Sequence, residues 1–213
     1  MNPNIRIAVE AIYVAFRVPK PLKIEGCPCC IEGKETDVLL SKPLRSLTDG
    51  DLTSYASSVF LTVGCLNDFL YLLPRILEIL VESDGWWPSV EVIARAITNG
   101  DFVHWPEARK KAVITFFDQV LKTLVEQGGS GFDLDAWICA LGNLRLDLLP
   151  YLSLIRENPQ LLITFYEVNS SPLQHGKLAN GFWDNVPEEE NRVVNWFKSD
   201  DTRDKIAIAY GLA

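Results

Sequence analysis

Three cysteines fall within four positions, Cys27, Cys29 and Cys30, in the run LKIEGCPCCIEGKETDVLL. Cys27 and Cys30 have the Cys-x-x-Cys spacing that zinc sites and thiol redox sites both use, because one turn then presents two sulfurs to a single ion or to each other. A structural zinc needs four ligands, normally with a second pair at similar spacing. No such pair follows: Cys65, Cys139, His104 and His175 are scattered along the chain. A CPxC redox site needs a strand before it and a long helix after it, whose N-terminus lowers the first thiol's pKa. The stretch IEGKETDVLL offers Gly33 and clustered charge instead. The sequence therefore predicts no cofactor and a tight turn whose small thiols pack against neighbouring helices. Structural zinc on Cys27, Cys29 and Cys30 is the alternative, with thiol redox chemistry beside it.

Other catalytic patterns are missing. His104 lies between aromatics in DFVHWP, where a packed or edge histidine is expected, and His175 lies in a polar stretch without a placed nucleophile or orienting acid. No phosphate-binding glycine loop, GxSxG elbow, HExxH or EF-hand loop occurs, and GGSG at 128–131 follows a helix rather than a strand. The chain reads as a non-enzyme.

Charge is more informative. The formal net charge is −8 over 213 residues. An acidic surface disfavours direct binding to nucleic acid or anionic lipid and steers basic partners instead. Between Asp49 and Ala94 the acids Asp49, Asp51, Asp68, Glu78, Glu82, Asp84 and Glu91 face one base, Arg75. Those seven acids, with Trp86 and Trp87 as aromatic anchors, are the expected partner-binding surface. An odd cysteine count, an N-terminus unlike a secretory signal and the lack of a membrane-length apolar run point to the cytoplasm.

The elements that must position these residues are helical almost throughout. The predicted fold is all-α, one domain over 1–213, with about nine short helices. They form either stacked helix pairs, as in a HEAT-like superhelix, or an irregular helical domain. An irregular Cys/Pro/Gly segment is expected at 18–41, a helix capped by Thr48 and Asp51 running to Gly64, and a kink or new helix start at Pro74. Pro106, Asn158, Pro187 and Ser199 mark later helix starts, and 169–181 is expected as a long polar loop. The segments VGCLNDFLYLLPRIL and ALGNLRLDLLPYLSL share a weak repeat ending in Leu-Leu-Pro.

Several segments together resemble a bacterial family without assigned activity. The matching features are a CPxC-like turn (Cys27, Pro28, Cys30), PLRxL (Pro43, Leu44, Arg45, Leu47), DLxxYA (Asp51, Leu52, Tyr55, Ala56) and an FLPRILEL-like helix. That helix is carried by Asp68, Phe69, Leu73, Pro74, Arg75, Ile76, Leu77 and Glu78. The resemblance spans roughly residues 20–80. It implies a bacterial origin and a helical fold, with an acidic residue at the position this chain gives to Cys65, and it brings no catalytic residue.

The expected function is a bacterial immunity protein that neutralises a basic toxin, a nuclease, by covering its cationic active site with an acidic helical surface. A zinc or thiol-redox protein organised around CPCC, and a helical scaffold or adaptor, are the alternatives.

Overall fold

The computed structural model describes residues 1–27, 33–83 and 85–212, with the backbone alone at 33–35. Pro28, Cys29, Cys30 and Asp84 therefore lie outside the described residues, and so do the expectations placed on them. Helices hold 72% of the chain and no strand forms among the described residues, so the all-α class holds.

Eleven α-helices are described, more than the nine expected. They are α1 (Pro3–Ala15), α2 (Gly33–Ser41), α3 (Asp49–Ser58), α4 (Leu66–Glu82), α5 (Val90–Asn99) and α6 (Glu107–Gln127) in the first part of the chain. After them come α7 (Gly131–Asn143), α8 (Leu149–Arg156), α9 (Pro159–Leu173), α10 (Pro187–Lys198) and α11 (Asp200–Ala209). The chain divides into two compact units, residues 1–119 and 120–213.

In the first unit α1 packs on α4, and α3 packs on α2, α4 and α5. Its core is apolar from every helix: Ile12 of α1, Leu39 of α2, Leu52 and Tyr55 of α3, Phe69, Leu73 and Leu77 of α4, and Ile93 of α5 are essentially inaccessible. Trp105 anchors an aromatic cluster with Phe16, Phe69 and Phe102, and its indole N–H donates to the Gly100 carbonyl at 2.6 Å. His104, next to it, is an edge residue: its side chain is exposed, with Nδ1 2.7 Å from an Asp101 carboxylate oxygen.

Three expectations need correction here. The segment 18–41 is not irregular throughout, because 33–41 is α2. The helix after Thr48 stops at Ser58; the chain then turns through Phe60, at φ 62°, and meets the 25–27 segment through backbone bonds from Cys27 N–H to Thr62 and from Gly64 N–H to Glu25. Of the two outcomes expected at Pro74, a kink or a new helix start, the new start does not occur, since α4 runs through it. The missing N–H costs one helix bond, about 3 kcal/mol with its steric penalty. Burial of Phe69, Leu70, Leu72, Leu73, Ile76, Leu77 and Ile79 on the same helix outweighs that several times over.

In the second unit α9 is the hub, packed on α7, α8 and α11. Gly131 permits the α7–α9 contact, because a Cβ there would sit 2.2 Å from the Thr164 carbonyl oxygen. The expected polar loop at 169–181 begins five residues later than the sequence suggested, at Gln174: α9 continues to Leu173. Asn169 is fully buried there, donating to Asp135 (3.0 Å) and to the Phe165 carbonyl (3.1 Å) and accepting from Ala179 N–H (2.9 Å). The Leu-Leu-Pro repeat is not structural, since its first copy lies mid-helix in α4 and its second opens α8.

Candidate functional site

The acids between Asp49 and Glu91 do not share one solvent face, and the structure gives each a different environment. Asp51 is the third residue of α3 and closes the expected capping box: it accepts from Thr48 N–H at 2.9 Å, while Thr48 Oγ1 accepts from Asp51 N–H at 3.2 Å. Lys42 donates to both carboxylate oxygens of Asp51, at 2.8 and 2.7 Å. Burial pushes the Asp51 carboxyl up, but the Lys42 ammonium and the Thr48 bonds outweigh it and hold the group below the usual carboxylate range.

Glu78 sits in a charged girder that no single stretch of sequence displays. It accepts from the Tyr13 hydroxyl and from Arg75 Nη1, each at 2.6 Å, and Arg45 stands 3.7 Å away. Arg45 also forks onto Glu10, at 2.9 and 2.7 Å, and lies 3.6 Å over the Tyr13 ring. Arg75 donates to the Leu47 carbonyl at 2.8 Å and reaches Glu82 at 3.3 Å. Burial, and then the Glu78 carboxylate beside it, push the Tyr13 phenol well above its ordinary value, so it stays a donor. Residues of PLRxL and PRILE are thus bonded to each other, as Leu47 and Arg75 are across 28 positions of sequence.

Two acids lie inside the fold. Asp68 is 1% exposed and Glu91 6% exposed, so neither contributes to a face that a partner could touch on the free chain. Among the described acids of the expected surface, Asp49 and Glu82 are exposed. Trp87 is 57% exposed, while Trp86 is half-buried and fixed: its indole N–H donates to the Asp49 carbonyl (3.2 Å) and to Thr53 Oγ1 (3.0 Å). What the fold assembles is therefore a solvent-facing indole beside a pinned one, with two exposed carboxylates on the elements around them.

A second constellation was not anticipated. Cys65 occupies the N-cap position of α4, and its exposed thiol donates to Asp68 Oδ1 at 2.7 Å. The Cys65 N–H reaches both Asp68 oxygens, at 2.9 and 3.1 Å, and the buried Tyr55 hydroxyl donates to Oδ2 at 2.8 Å. Burial and the Asp68 charge drive the Tyr55 phenol well above its ordinary value. Gly64 makes the arrangement sterically feasible: its φ is +76°, and a Cβ there would lie 2.6 Å from Asp68 Oδ2. The readable signal was Gly-Cys-x-x-Asp, a capping box with cysteine in the place of serine. The thiol opens onto a cavity of about 590 Å³ lined by Val18–Lys23, Asn67, Asp68, Leu70 and Arg109.

Among the described residues no group of three or more His, Cys, Asp or Glu is placed to hold a metal ion. Cys27 is half-buried on the segment paired with 62–64, and Cys139 is buried in α7. His175 is exposed in the turn after α9. No described helix is long and apolar enough to cross a membrane. No protein-family model, curated protein or solved structure matches this chain.

Proposed function

We propose that this protein is an interaction module that binds a basic protein partner through the surface around Trp87. The observation that carries this reading is the indole itself. Trp87 offers an aromatic side chain 57% exposed, and the neighbouring Trp86 indole, held by two hydrogen bonds, has little conformational freedom left to lose on docking. Asp49 and Glu82, both exposed, supply the acidic part of the surface, and the net charge of −8 steers a cationic partner from a distance. Asp51, Asp68, Glu78 and Glu91 act in the scaffold, not at the contact.

A nuclease toxin has the required chemistry, because an active site that holds a phosphodiester backbone is cationic. Covering such a site with an indole and carboxylates would inhibit it, as an immunity protein does. The test is co-expression with the product of the adjacent reading frame, followed by titration of the two purified proteins. The reading expects a one-to-one complex that weakens with added salt. It also expects Trp87→Ala to raise Kd by about 30-fold, the two kcal/mol of a typical hot spot. A salt-insensitive complex, or one that Trp87→Ala leaves unchanged, would refute it.

A further inference from the structure

We propose that the cavity formed by α8 and α10 in the second unit binds small hydrophobic amines of the arylalkylamine class, with the Glu189 carboxylate as counter-ion to their ammonium group. This is independent of the partner surface around Trp87.

The cavity has a volume of about 470 Å³, the size of a small-molecule site. Its wall belongs to the fold's interior: Leu148, Leu152, Glu189 and Trp196 all line it, and each is 8% exposed or less. Leu149, 63% exposed, extends the apolar lining out to solvent. Trp196 is braced by Phe165 and Phe197, with ring centroids 6.3 and 4.8 Å away, so it presents a fixed aromatic surface.

The charged group in that wall sets the ligand's chemistry. Glu189 is 5% exposed, and among the described residues its carboxylate has one partner, Arg192, which donates to Oε2 at 3.1 Å from one turn along the same helix. The other oxygen, Oε1, accepts no hydrogen bond among the described residues. The Arg192 side chain is 68% exposed, so water screens the cation while the anion stays inside. The N-terminal turn of α10 favours the charge, yet a buried carboxylate held by one screened partner is still short of compensation. The Trp196 indole N–H in the same wall is also without a partner. Buried polar atoms left so are few in any fold. Asp147, exposed on the same cavity, adds a second carboxylate, so two acids face one guanidinium. An ammonium group donates to Glu189 Oε1 and is drawn by Asp147. The aryl body covers Leu148, Leu149 and Leu152, and the cation meets the Trp196 ring. The same two acids repel a carboxylate ligand.

The test titrates the intact protein with phenethylamine, 2-phenylethanol and 3-phenylpropionate at neutral pH, with NMR chemical shifts as the readout. The amine should bind about tenfold tighter than the alcohol of the same body, and the carboxylate should not bind. Glu189→Gln keeps the side chain's shape without its charge. It should lower the amine's affinity about tenfold, the loss of one charge-assisted hydrogen bond, and leave the alcohol's unchanged. Leu149→Ala, an exposed change outside the core, should weaken amine and alcohol alike by about threefold, the loss of part of one apolar contact. Nα-acetyl-lysine methylamide, which carries the ammonium group on a peptide, should bind more weakly than phenethylamine because it lacks the aryl body. Equal affinity for amine and alcohol, amine binding that Glu189→Gln or Leu149→Ala leaves unchanged, or equal binding of the lysine derivative would overturn the proposal.

Discussion

Replacing Tyr55 by Phe tests the clasp at the head of α4 directly. The ring stays, so no cavity forms, and only the hydroxyl that donates to Asp68 Oδ2 at 2.8 Å is lost. Both groups are almost wholly buried, at 0% and 1% exposure, so water does not replace the bond. Oδ2 would retain only the 3.1 Å share of the Cys65 N–H. A buried hydrogen bond to a charged acceptor is worth about 1.5–3 kcal/mol, and Tyr55→Phe should cost about 2 kcal/mol. At a typical dependence of a few kcal/mol per molar, that moves the urea midpoint by about 1 M at unchanged slope. Far-UV circular dichroism during urea titration reads the shift. The double variant with Asp68→Asn should fall short of additivity by roughly 1 kcal/mol, because the two side chains share one bond. A loss under about 0.5 kcal/mol, or strict additivity, would mean that the hydroxyl does not stabilise the Asp68 charge.

Two further outcomes follow from particular contacts. Gly131→Ala places a methyl 2.2 Å from the Thr164 carbonyl oxygen; overpacking of about 3 kcal/mol, offset by roughly 1 from helix propensity, leaves a net loss near 2 kcal/mol in chemical denaturation. Asp51 titrates below its ordinary value in the fold, so its bonds stabilise the protein above the unfolded carboxylate pKa and are lost as pH falls through the folded one. Lys42→Met should therefore lower the urea midpoint at pH 7, and the gap to wild type should close in strong acid; a gap that persists there would place the lysine's contribution elsewhere.

What the sequence by itself determined is local. Thr48 with Asp51, Asn158, and proline at the head of α10 act within one helical turn, and the first two bond as their spacing requires. The all-α class follows from the same local periodicity. What only the tertiary structure decided is which face of each helix meets another. Charge type says nothing of that, which is why seven acids in one stretch read as a surface although Asp68 and Glu91 lie inside it and Glu78 is held by two arginines. The polar segment at 169–173 read as loop for the same reason: Asn169 finds Asp135, 34 residues away, and burial with a partner keeps it helical. Pro74 stays within α4 because its neighbours gain more from the core than one missing N–H costs. Even Cys65, legible as a cap, acquires a cavity only when Val18–Lys23 and Arg109, distant in sequence, fold around it. Those contacts are sums over side chains brought together from far along the chain, and no window of sequence contains both halves of any of them.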